Sequence, residues 1–110
     1  MKSEDFLFVY CMVPNEEIAT DISHHLLSSN LIACANIFPK IQSLYKWKGT
    51  IQKSEELALV LKTKKSIYQK MSEELIKKHP YECPGLCALS FNSAYPPFLN
   101  WIDSSISQKD

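Results

Sequence analysis

The chain has 110 residues in which 12 basic and 12 acidic side chains cancel, and every basic residue is a lysine. A chain of this length reads as one domain spanning residues 1–110, and surface scaling lets it bury about two thirds of its unfolded area, enough for a core without staples. Zero net charge leaves no field to hold nucleic acid or an anionic membrane surface, and the absence of arginine removes the fork that grips phosphate bidentately, which argues against nucleotide recognition and phosphoryl chemistry.

The run Phe6-Leu7-Phe8-Val9-Tyr10-Cys11-Met12-Val13 carries no charge and is rich in aromatic and β-branched residues, so it reads as a strand buried on both faces. It is far short of the ~20 residues needed to cross a bilayer. Pro14 stops it, and Asn15 is placed to cap a helix whose first turn holds Glu16 and Glu17. Ile18, Ile22 and Leu26 form the apolar stripe of that helix. His24 and His25 near its end point about 100° apart on a helix, so they read as solvated side chains rather than a metal pair. Asn30 suits the left-handed position that ends the helix.

Leu31 to Phe38 is a second apolar run, bounded by Pro39. Ile41 to Lys48 then alternates, with Ile41, Ser43, Tyr45 and Trp47 on one face, as a strand with one wetter side does. Lys48-Gly49-Thr50 makes a tight turn, and the return strand starts at Ile51 and becomes strongly apolar over Leu57 to Leu61, giving a long protruding hairpin. A second helix opens at Ser66, with Ile67, Met71 and Leu75 as its stripe and Lys77 and Lys78 at the negative end of its dipole. Pro80 ends it and makes His79 extended. Leu86 to Phe91 is the last core strand, Asn92 to Pro97 a loop, and Phe98, Ile102 and Ile106 mark a short C-terminal helix carrying Trp101. Ser107 to Asp110 is expected to fray.

Strands and helices in this order describe an α+β fold, a ferredoxin-like βαββαβ sandwich with a protruding β2-β3 hairpin and an extra C-terminal helix. Right-handed crossovers put both major helices on one face of the sheet. Two central strands are nevertheless apolar at nearly every position. Leaving ~500 Å² of that second face wet is unfavourable by about 12 kcal/mol, as large as the stability of a whole domain. A homo-oligomer that covers the face is therefore expected, with the C-terminal helix as the competing cover.

The cysteines, Cys11, Cys34, Cys83 and Cys87, show no C-x-x-C spacing, and no charged-then-apolar leader precedes them. Neither a zinc finger nor a secreted disulfide framework is indicated, and a cytoplasmic setting is expected. The stretch Lys77 to Gly85 places His79, Tyr81, Glu82 and Cys83 between a helix end and a strand start, on a connector stiffened by Pro80 and Pro84. Ionisable groups held on a stiff connector are candidates for a binding site.

Several blocks, taken together and in register, resemble the CutA family of divalent-cation tolerance proteins. They are Val9 to Glu17, Leu31-Ile-Ala-Cys-Ala-Asn-Ile37, Ser43-Leu-Tyr-Lys-Trp-Lys-Gly49, Leu61-Lys-Thr63, His79-Pro-Tyr-Glu-Cys-Pro84, and Tyr95 with Leu99-Asn-Trp101. The resemblance implies a ferredoxin-like fold, a homotrimer that pairs edge strands between subunits, a cytoplasmic location and a non-catalytic role in the response to metal ions. It also implies a weak site for Cu(II) or another divalent metal at Cys11 and His79, with no obligatory cofactor. Some bacterial members have two consecutive histidines where this chain has Lys78 and His79, which weakens such a site. The bland reading of Cys11 is a small buried hydrophobe.

A second group at matched positions, Tyr45, Trp47, Lys62, Tyr81, Glu82 and Trp101, is expected to gather with His79 as a ligand pocket or a polar subunit interface, with Lys62 paired to Glu82 in the interface version. The alternative function is a PII-like trimeric signalling module that binds a small effector between subunits, although no Gly-rich phosphate loop is present. Catalysis is not expected. A Cys11–His79 nucleophile would lack an orienting third group, and acylphosphatase chemistry on this fold needs an arginine.

Overall fold

Strand β1 (Phe6–Val13) lies inside a four-stranded antiparallel sheet between the long strand β3 (Thr50–Lys64) and the short edge strand β4 (Leu86–Ser90), with β2 (Cys34–Trp47) forming the other edge. The computed structural model describes residues 1–107, so the expected fraying beyond Ser107 lies outside the described residues. Helices α1 (Glu16–Ser28) and α2 (Tyr68–Lys78) follow β1 and β3, and α3 (Pro96–Ser107) follows β4. This order and connectivity are those of the ferredoxin-like fold, with the hairpin and the third helix as additions.

Local chemistry sets the boundaries. Asn15 accepts a hydrogen bond from the Ile18 amide at 2.9 Å and caps α1. Its other end closes on Asn30, which adopts φ +58° while Leu31 N–H reaches the Leu26 carbonyl at 2.9 Å. Lys48 and Gly49 both have positive φ, the geometry a two-residue hairpin requires where Trp47 pairs with Thr50. A short 3-10 turn over Lys65–Ile67 precedes α2, so the helix begins at Tyr68, two residues later than the expected opening at Ser66. Pro96 is the first residue of α3, where a missing N–H costs nothing.

The two sequence segments on either side of Pro39 belong to one strand rather than two. β2 is an edge strand, which tolerates proline, and it continues through a bulge between Phe38 and Ile41 in which Lys40 takes φ +55°. Phe38 pairs with Ala58 and Ile41 with Glu56, so two residues of β2 stand opposite the single residue Leu57. The extra residue reverses the alternation. Cys34, Asn36 and Phe38 before the bulge therefore share a sheet face with Ile41, Ser43, Tyr45 and Trp47 after it.

On the helix-covered face, Val9, Cys11, Val13, Leu59 and Leu61 pack with Ile22 and Leu26 of α1 and Met71 and Leu75 of α2. Polar contacts link the two helices at their edge: His25 Nε2 lies 2.9 Å from Glu74 Oε1, and Lys78 donates to Asp21 at 3.2 Å. His25 is thus a bridging side chain, unlike the exposed His24. On the opposite face α3 covers only one end, burying Phe6 and Ala33 beneath Leu99, Ile102 and Ile106. Beyond that end Phe8 stays 38% exposed, Phe38 53% and Leu89 67%. The C-terminal helix is not the full cover for this face.

Candidate functional site

The bare face runs into a cleft where the base of the β2-β3 hairpin meets the connector after α2. The cleft has a volume of about 840 Å³, and Met12, Tyr45, Trp47, Glu56, Tyr81 and Glu82 are among its lining residues. The bulge at Lys40 is what brings Tyr45 and Trp47 here, because a regular β2 would turn both to the helix side.

Glu56 is the centre of the polar chemistry. It is only 6% exposed, and it accepts a hydrogen bond of 2.6 Å from the Tyr81 hydroxyl. Burial first, and then this hydrogen bond to a carboxylate, push the Tyr81 phenol well above its usual range, so it remains a donor at any physiological pH. On the cleft wall Tyr45 shares a 2.7 Å hydrogen bond with Ser54. No lysine or histidine is among the residues lining the cleft.

His79 holds the connector. Its Nε2 donates to the Met12 carbonyl at 2.7 Å, and its Nδ1 accepts from the Tyr81 amide at 3.2 Å. The acceptor role of Nδ1 assigns the proton to Nε2. The ring also lies 4.7 Å from that of Tyr81, centroid to centroid. One buried imidazole thus ties the end of β1 to the loop and aims Tyr81 at Glu56. Cys11 projects from β1 into the helix-side core, is fully buried, and its thiol is pushed up to about 12, mainly by burial.

In the folded chain, then, both nitrogens of His79 are engaged and Cys11 is a protonated thiol in an apolar core. Among the described residues, no group of three or more His, Cys, Asp or Glu side chains is placed to hold a metal ion. Lys78 turns away from this connector and donates to Asp21 on α1.

Of the residues expected to cluster, Tyr45, Trp47, Tyr81 and Glu82 come together within one chain, and Lys62 and Trp101 do not join them. Lys62 sits opposite Phe8 and Cys34 in the sheet, where its ammonium bonds the Asn36 side chain and lies 6.0 Å from the centre of the Phe8 ring. The expected pairing of Lys62 with Glu82 is replaced by the contact with Asn36. Trp101 stacks on Phe98 along α3, with ring centroids 5.9 Å apart and planes inclined by 12°. Glu56 was missed from sequence because Glu55 and Glu56 together resemble a solvated turn of polar strand; the alternation of β3 puts Glu56 on the face of Ala58 and Val60, and only the folded chain shows that Tyr81 and β2 close over it.

The family model for the CutA1 divalent ion tolerance protein matches residues 7–105. The divalent-cation tolerance protein CutA of Thermotoga maritima is 40% identical over 100 residues, covering 91% of this chain and 98% of that protein. Protein CutA of Mus musculus is 37% identical over 95 residues, 86% of this chain, which spans only about half (52%) of the mouse protein's length. Among solved structures, the divalent ion tolerance protein CutA1 of Ehrlichia chaffeensis superposes with a TM-score of 0.90 at 32% identity, covering 97% of this chain and all of the other. That of Archaeoglobus fulgidus, described as a periplasmic divalent cation tolerance protein CutA, gives 0.89 at 34% identity, over 93% of this chain and 99% of the other. No helix among the described residues is long and apolar enough to cross a membrane. A family model over residues 7–105, with relatives and solved structures matched over nearly the whole chain, leaves one assignment: the chain belongs to the CutA1 divalent ion tolerance family.

Proposed function

We propose that the chain works as a non-catalytic homotrimer in the cytoplasmic response to divalent metal ions. The observation that carries this reading is the sheet face left bare by α3, where Phe8, Tyr10, Phe38 and Leu89 are all exposed on a single chain. A contiguous apolar face of this kind is an assembly surface, and the edge strands β2 and β4 offer unpaired backbone groups beside it. The free thiols, Cys11, Cys34, Cys83 and Cys87, suit a reducing compartment.

The metal role is proposed as weak and indirect. A Cu(II) ion bound by His79 has to displace either the Met12 carbonyl or the Tyr81 amide, and one bound by Cys11 has to enter the core and remove a proton from a raised thiol. The same arrangement supports the absence of catalysis, since neither group is available as a base or nucleophile. A second reading, effector binding as in PII-like trimers, is favoured by the cleft, but its carboxylate lining disfavours the anionic effectors such trimers take.

Sedimentation at micromolar concentration tests the assembly. The expected species has three times the 12.6 kDa chain mass, and Phe8→Asp with Leu89→Asp shifts it to the single chain. A monodisperse wild-type monomer would sink the proposal. Calorimetric titration with Cu(II) and Zn(II) tests the metal role: equal heats for wild type and for Cys11→Ser with His79→Ala support the indirect reading, and loss of heat in the double variant contradicts it.

A further inference from the structure

We draw no further inference here: the strongest candidate outside the surface assigned to assembly, the side-chain cluster in which His25 and Glu74 clasp α1 to α2 beside Lys77 and the Lys78–Asp21 pair, belongs to the helix packing already described, and among the described residues no group of three metal-ligating side chains is formed there.

Discussion

Replacing His79 with alanine removes one side chain from three contacts at once. The Met12 carbonyl loses its donor at 2.7 Å, the Tyr81 amide loses its acceptor at 3.2 Å, and the Tyr81 ring loses the imidazole against which it rests. A part-buried carbonyl left without a donor costs about 1–3 kcal/mol, and the amide, which water reaches, about 1 kcal/mol or less. The sum is about 3 kcal/mol, which for a domain of this size lowers the melting temperature by roughly 12–15 °C. Urea unfolding of wild type and variant at one protein concentration measures it. His79→Gln should recover about half, because its amide nitrogen stands near the place of Nε2 and donates to Met12, while nothing replaces Nδ1 as acceptor. The reasoning is refuted if His79→Ala unfolds at the wild-type midpoint, and a variant that is fully stable yet has lost its Cu(II) heat would show that His79 is a ligand and not an anchor.

Cys11 and Cys83 should differ sharply toward iodoacetamide at pH 8. With its thiol near 12, Cys11 holds about one part in ten thousand as thiolate, and the reagent must also reach a fully buried side chain, whereas Cys83 is exposed. Peptide mapping by mass spectrometry should find Cys83 alkylated and Cys11 untouched in the folded protein, and parallel labelling would contradict the core placement. Glu74 carries an acid-side prediction, since its bonds to Lys77 and His25 hold its carboxyl down at about 2. A depressed folded value means that its contribution is present above the ordinary glutamate range near 4.3 and is lost as pH falls from there toward 2. Glu74→Gln should therefore flatten the acid limb of the stability curve between pH 5 and 2, and an unchanged slope would remove the Glu74 bridge from the account.

Much of the fold was legible along the chain because each element carried its own chemistry. Asn15 before two glutamates, Asn30 after Leu26, Lys48-Gly49 between alternating runs and Pro80 after two lysines each fix a boundary through a local hydrogen bond or a forbidden dihedral. Pro39 misled for an equally local reason. A proline ends a central strand but interrupts an edge strand only at a bulge, and edge position is a property of the whole sheet. Lys62 and Trp101 misled because they sit in matched blocks, and membership of a block says nothing about which face or which end of the sheet a residue occupies.

The sequence by itself determined the element order, the two-helix face, the excess of apolar strand surface and the family, since these follow from periodicity, composition and residue identity. Only the tertiary structure decided that α3 leaves most of the second face open, that His79 ties β1 to the connector through both ring nitrogens, and that Glu56 lies buried in a cleft with Tyr45, Trp47 and Tyr81. The last of these turns on register. One extra residue at Lys40 reverses which side chains of β2 face the cleft, and a carboxylate becomes costly to bury, and so informative, only after that register has closed the aromatic walls around it.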